Sequence, residues 1–266
     1  MAANLNSISI FMTINWLQII TGIFVGIASG YLGSFMILRR MALVGDALSH
    51  VALPGIALAL LFNLNPFLGA FGTLFLGIIS IWLIENKTEL STESLVGLFF
   101  TVSLAIGILI TPDEELLEAL FGDISQITLL DTTLAIVLSL MVILVMKLIS
   151  KKFILGTISE DLAKSTGVNV GKINFVFLML VAVIVALGIK AVGTLLMGAL
   201  VIIPAIASKN ITRNMNSYIF SSALFGLVSL VGGILISNYF SFAPGPIVVL
   251  VSAFIFLLSL IFVEKK

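Results

Sequence analysis

Asp46 and His50 stand four residues apart in RRMALVGDALSHVALPG (39–55), a run that is otherwise almost wholly apolar after its two arginines. His50 is the chain's one histidine. Residues at this spacing share a face of an α-helix, so carboxylate and imidazole project together. An oxygen and a nitrogen ligand side by side suit a divalent transition metal. Two plainer readings stand beside this one. The pair is a structural hydrogen bond in which the aspartate fixes the histidine tautomer, or Asp46 lies at the inner membrane surface, close after Arg40, where water solvates it. His50 is deeper on any placement, so the last reading explains half the pair only. Two ligands are too few for a closed site. Two copies of the helix facing each other across a dimer axis would supply four, the number a tetrahedral site takes.

The neighbouring residues bear on the same point. Pro54 has no N–H to return to the carbonyl of His50, and it bends the helix there. Inside a membrane, freed backbone is tolerated where it is buried in protein or lines a wet cavity. Gly45 and Gly55 bracket the stretch and reduce bulk around it. Gly45, Pro54 and Gly55 therefore read as pore-shaping residues.

The elements that must position these groups are set by composition. The chain has 266 residues, 60% of them hydrophobic and 10% charged, with a mean hydropathy of +1.28. Soluble domains carry about 25% charged residues, so this is an all-α, polytopic integral membrane protein, expected as a single domain over 1–266. Thirteen basic residues balance thirteen acidic ones, which leaves no basic field for nucleic acid. Cysteine is absent, removing disulfides, thiolate metal sites and cysteine nucleophiles together. The first residues, MAANLNSISIFMTIN, carry no positive side chain and do not read as a cleaved secretory signal.

A membrane helix needs roughly 20 apolar residues. Such runs fall near 16–38, 43–62, 66–84, 94–111, 129–149, 173–189, 191–208, 217–237 and 246–263. That makes about nine spans, or eight, since the second and seventh are short or broken and 111–128 could re-enter the membrane. With the N-terminus outside, Arg39, Arg40, Lys87, Lys147, Lys151, Lys152, Lys164, Lys172, Lys209, Arg213, Lys265 and Lys266 all fall at the cytoplasmic side and only Lys190 falls outside. This asymmetry selects the N-out, C-in orientation. Gly22, Gly26 and Gly30 recur every fourth residue in the first span, a pattern that lets helices approach closely and reads as ordinary membrane packing.

Two connecting segments carry charge. The outer TPDEELLEALFGDISQITLLD (111–131) holds Asp113, Glu114, Glu115, Glu118, Asp123 and Asp131 without a lysine or arginine. It reads either as a solvated loop with a short amphipathic helix or as an electronegative vestibule that concentrates cations or docks a partner. The inner KKFILGTISEDLAKSTGVNVGKIN (151–174) is the longest cytoplasmic stretch. Ser159-Glu160-Asp161 looks like a helix start and Gly167 suits the C-terminal cap, so a short amphipathic helix is expected to lie at the inner face.

Several stretches taken together resemble the ABC-3 family, the membrane permeases of ABC importers for zinc, manganese and iron. They are GSFMILRRMALVGDALSHVALPGIALALLFNLNPF (33–67), ESLVGLFFTVSLAIGILI (93–110), LEALFGDI (117–124), TISEDLAKSTGVNV (157–170), VGTLLMGALVIIPAIAS (192–208) and APGPIVVLVSAFIFLLSL (243–260). RRM, LFGD, TIS.DLA and PGP.VVL are most similar to the zinc-uptake branch. The resemblance implies a permease homodimer in the cytoplasmic (inner) membrane, two cytoplasmic ATPase subunits and an extracytoplasmic metal-binding protein. It implies that Asp46 and His50 are the pore metal positions. By the same resemblance the segment at about 151–172, with Ser159, Glu160, Asp161, Ala163 and Gly167, contacts the ATPase. Glu93 falls where relatives often carry an acidic residue at the mouth of a span. Zinc permeases often have further histidines and this chain has only His50, so zinc is favoured by resemblance over Mn²⁺ or Fe²⁺, which the same ligands accept.

Energy is expected from a partner. A P-loop requires G-x-x-x-x-G-K-[ST]; the nearest approach, STGVNVGKIN (165–174), has the wrong glycine spacing and an isoleucine after Lys172. ATP is then used by a separate subunit, and the chain itself is a transport subunit with no permanently bound cofactor. No HExxH or GxSxG motif marks a hydrolase. The rival from another class is a secondary transporter, but no similarity between two halves of the kind such proteins show is visible. A channel would need rings of selectivity groups, which one histidine does not offer. An iron-siderophore or vitamin cargo would call for a roomy apolar passage and not for metal ligands.

Overall fold

The computed structural model describes residues 15–88, 90–111, 120, 127–194 and 196–262. Eleven helices follow one another among them. They are α1 (Trp16–Leu38), α2 (Ala42–Val51), α3 (Leu53–Leu61), α4 (Pro66–Glu85), α5 (Thr92–Ile110), α6 (Leu129–Ile158), α7 (Glu160–Ser165), α8 (Val170–Val192), α9 (Met197–Ile211), α10 (Met215–Phe240) and α11 (Pro244–Leu260). With α2 and α3 taken as one, seven helices are long and apolar enough to cross a membrane, and α9 and α11 are shorter apolar helices. The nine apolar runs of the sequence thus become nine helical segments, and the all-α expectation holds.

Polar residues start most of these helices, because the first-turn amides have no partner within the helix. Asn15, Asn65, Ser91, Asn169 and Asn214 each accept a bond from an amide in the following turn. Thr128 and Asp131 form a reciprocal capping box on α6. In lipid these bonds matter more than in water, since no solvent competes for the amide.

α8 is the central helix: 78% of its apolar window is buried, against 17% for α5 at the periphery. The most extensive pairing joins α1 to α10. It depends on the glycines at four-residue intervals. Gly26 meets the backbone of Gly226 and Leu227, with an ideal Cβ on Gly26 falling 2.7 Å from Gly226 O, and Gly30 meets the backbone of Ser222 and Ala223. Gly22 faces Ile234. One face of α1 is therefore devoted to a single neighbour.

The basic residues gather at one end. Phe35, Phe153 and Phe177 bring the ends of α1, α6 and α8 together there, with ring centroids 6.0 and 4.4 Å apart. The Arg39 guanidinium lies over Phe153, 5.3 Å from the ring centroid. Burial lowers the pKa of Arg39, while the carboxylates of Glu85 and Glu160 act against that shift. Glu85, Thr92 and Asn174 form a polar cluster at the same end. By the charge rule this end is cytoplasmic.

Two features differ from the sequence expectation. α6 continues to Ile158, so Lys147, Lys151 and Lys152 sit on a 30-residue helix that projects beyond its apolar core, not in a loop. Lysines flanking an apolar stretch extend a helix readily, because their stems cover apolar surface while the ammonium reaches water. Asp131, read from sequence as part of an acid-only segment, is paired with Lys190 at 2.7 Å and ties the outer end of α6 to that of α8. Asp113, Glu114, Glu115, Glu118 and Asp123 lie outside the described residues, as do Lys265 and Lys266.

Close backbone contact leaves no room for a side chain at Gly30. Gly30→Val should force α1 from α10 at a cost of about 1–3 kcal/mol, the usual range for overpacking. The check is the thermal midpoint of the purified protein in detergent; an unchanged midpoint would show that the two helices do not pack this way.

Candidate metal pathway at a broken helix

α2 carries the pair. His50 is 6% exposed, its ring set edge-on against Phe100 of α5 with centroids 5.2 Å apart. Its Nδ1 is buried with no hydrogen-bond partner in the chain. Buried polar atoms are nearly always satisfied, so an orphaned imidazole nitrogen leaves a lone pair or proton open to a ligand. Asp46, one turn earlier, is half-buried, as is Ala47, and Leu43 is exposed. The face shared by these residues thus runs from the interior out to the rim of the chain. Among the described residues no three histidine, aspartate or glutamate side chains gather to hold a metal. At this place the described residues offer two candidate donors, Asp46 and His50.

Pro54 occupies the first turn of α3, and the helix breaks before it at Ala52, whose N–H turns to His50 O. Thr73 Oγ1 of α4 lies 3.5 Å from the Ala52 carbonyl. Gly55 packs against the backbone of Gly69 on α4, and Gly45 against the Met36 side chain of α1, 3.1 Å from an ideal Cβ. Both glycines face neighbouring helices and let α3 and α2 sit close to them.

The second interruption faces the first. α8 ends at Gly193, with φ +84°, and α9 begins at Met197 without a side-chain cap. α9 has 15 residues, about 22 Å of helix against a hydrocarbon core of about 30 Å, so one of its ends is inside the membrane. That end packs on Asp46: an ideal Cβ on Gly198 would fall 2.5 Å from Asp46 Cβ. Ser49, fully buried between the two members of the pair, contacts Asp46 O and Thr194 O, each at 2.6 Å. Neither Ser49, Thr194 nor Gly198 was singled out from sequence. A serine in an apolar run is the one signal that could have marked the first of them.

Glu93 lies on α5 seven residues before Phe100, whose ring meets His50. It is exposed in the first turn of α5, at the basic end, next to the Glu85–Thr92–Asn174 cluster.

The inner helix forms as its sequence indicates. Ser159 accepts from Leu162 N, Glu160 and Asp161 occupy the first turn of α7, and Ala163 is fully buried. Gly167 adopts φ +79°, and Val168 N→Ala163 O (2.9 Å) with Gly167 N→Lys164 O (3.0 Å) closes the helix. This is the paired-bond ending that glycine permits. Glu160 bonds Lys164 at 2.9 Å and raises the pKa of its ammonium. An open groove lined by Lys164 and residues 167–171 lies beside α7.

Seven helices long and apolar enough to span a membrane, with two interruptions that meet beside an aspartate and a histidine, define a polytopic membrane protein. Residues 12–263 match the model of the ABC 3 transport family, and the chain belongs to that family. It is 30% identical over 252 residues to the manganese transport system membrane protein MntC of Listeria monocytogenes, covering 93% of this chain and 90% of that one. It is 34% identical over 253 residues to the high-affinity zinc uptake system membrane protein ZnuB of Haemophilus influenzae, covering 91% and 95%. The solved structure of PsaBC from Streptococcus pneumoniae in complex with Fab superposes with a TM-score of 0.82 at 30% identity, covering 97% of this chain and 95% of that one.

The Asp131–Lys190 pair, partly buried at the outer end, should be worth about 0.5–1 kcal/mol. A double-mutant cycle of Asp131→Asn and Lys190→Met on thermal stability reads that coupling; additive effects would mean the pair contributes nothing.

Proposed function

We propose that the chain is the permease subunit of an ATP-driven importer that moves divalent transition-metal ions, Zn²⁺ foremost, across the cytoplasmic membrane. The observation that carries this reading is the Asp46/His50 pair. Both groups lie within a span, where a carboxylate is costly unless it faces a cavity or a partner, and His50 Nδ1 is left open. Because the face bearing the pair reaches the rim of the chain, a second copy can bring its own pair opposite. Two chains then offer two carboxylates and two imidazoles, a set that Zn²⁺ accepts tetrahedrally. ATP is bound and hydrolysed by two cytoplasmic partner subunits. α7, with Ser159, Glu160, Asp161, Ala163 and Gly167, is the segment they contact within a single permease domain over 1–266. An extracytoplasmic metal-binding protein delivers the ion at the outer face.

Mn²⁺ is the second reading. The manganese and zinc relatives cover this chain almost equally, at 30% and 34% identity. Oxygen and imidazole donors accept either ion, and an imidazole in every half-site tilts the preference to zinc. Membership of the ABC 3 transport family gives no support to the gradient-driven rival.

The test is uptake of radioactive zinc by metal-starved cells that express the chain with its ATPase and binding protein. Wild type should accumulate zinc against excess manganese, and His50→Ala and Asp46→Ala should reduce uptake to background at equal membrane abundance. Normal transport by His50→Ala would make the pair structural and remove the proposed pathway.

A further inference from the structure

The pair's setting depends on a third residue that is not a ligand. We propose that Ser49 is the positioning residue of the pathway: its hydroxyl pins α2 to the α8–α9 turn and thereby holds Asp46 and His50 at one fixed distance from the start of α9. The inference rests on the importer reading above.

Three observations support it. First, Ser49 is fully buried, and its Oγ lies 2.6 Å from two carbonyls, Asp46 O on its own helix and Thr194 O on the turn after α8. A serine hydroxyl has one proton, which these two acceptors share. The bond to Asp46 O is a local one that many helical serines make. The bond to Thr194 O spans 145 residues and joins the two interrupted segments. Second, the fixed spacing leaves no slack. Asp46 Cβ and Cα lie 2.5 and 2.6 Å from where a Cβ on Gly198 would stand, so Asp46 is seated on the backbone of the first turn of α9. Third, α9 begins at Met197 with no side-chain cap bond from Leu196, so its packing helps to define where that end lies. α2 cannot shift along α9 without breaking the Ser49 bond, and α9 cannot move closer without striking Asp46.

The consequence concerns how the ions are distinguished. Asp46 and His50 supply donors that several metals accept, so a preference among them must come from where the donors are held. Groups behind the ligands that fix their orientation typically change metal affinity by about 10- to 100-fold when removed. Ser49 holds the backbone between the two ligands, one residue before His50 and three after Asp46.

The experiment measures equilibrium binding of Zn²⁺ and, separately, Mn²⁺ to the full-length permease purified with its partner ATPase. It compares wild type, Ser49→Ala and Ser252→Ala. Ser252 is an equally buried hydroxyl on α11 that bonds Val248 O within its own helix, and it serves as the control for losing such a group. The expected result is a Zn²⁺ dissociation constant raised about 10-fold or more by Ser49→Ala, with a changed Zn²⁺ to Mn²⁺ ratio. Ser252→Ala should bind as wild type does, and the thermal midpoints of the two variants should agree. Wild-type affinities and ratio in Ser49→Ala would overturn the inference while leaving the importer reading in place. An equal loss of binding in both variants, or a loss in Ser49→Ala matched by a lowered midpoint, would assign Ser49 to general stability and also overturn it. If wild type binds neither ion, the metal-pathway reading fails and this inference fails with it.

Discussion

In a bilayer every backbone amide and carbonyl must find its partner inside the protein, and this constraint organises the whole chain. Helices satisfy it along their length, so only their ends and interruptions remain. The ends are met by asparagine, serine and threonine caps at Asn15, Asn65, Ser91, Thr128, Asn169 and Asn214. The interruptions at Ala52 and after Gly193 cannot be solved that way, and both lie in the interior. At the first, Ala52 O accepts Ile56 N–H at 3.0 Å and Thr73 Oγ1 lies 3.5 Å from it, and Ser49 Oγ bonds a carbonyl of the second. Because interrupted backbone is tolerated only against protein or a wet cavity, the two breaks meet each other, and the ionisable pair lies where they meet.

Charge follows the same logic. Away from the ends of the spans, Asp46 and His50 are the acidic and basic side chains within the described spans, apart from lysines on the projecting part of α6. Glu85, Glu93, Lys172 and Lys209 lie in first or last turns at the basic end, and Asp131 and Lys190 neutralise each other at the opposite one. The bundle places nearly every described charge at an interface, yet keeps a carboxylate and an imidazole inside, a costly placement that motivates the functional reading proposed for the pair. The Nδ1 of His50 is one of seven buried polar side-chain atoms among the described residues without a partner in the chain, and the one of them that is an imidazole nitrogen.

Much of this was legible from residue order. Hydropathy located nine segments because a span's length is fixed by the bilayer, and lysine and arginine located the inner end because their charge resists burial. The α7 boundaries could be read from Ser159 and Gly167, because caps are local chemistry. Contacts between distant segments could not. The Asp131–Lys190 pair joins helices 59 residues apart and the Ser49–Thr194 bond 145, and neither leaves a pattern in one sequence. Gly26 and Gly30 announced a close helix contact, but only the fold reveals that α10 is the partner. Gly55 was legible as a place of reduced bulk beside Pro54; that its backbone neighbour is Gly69 of α4 was not. A small residue signals close approach and not which surface approaches.

The chemistry of the pair also limits what it can achieve alone. Oxygen and imidazole donors bind first-row divalent metals in an order set largely by the metals themselves. With no cysteine and one histidine in the chain, softness of the ligands cannot be adjusted by recruiting sulfur or more nitrogen. The protein can vary how far apart the donors are, how rigidly they are held and how many copies converge. The first two depend on α2 being fixed against α9, through a buried serine and a glycine that admits no side chain. On the proposed reading, selectivity would then be a property of helix packing, to be sought in small buried residues that never touch the ion.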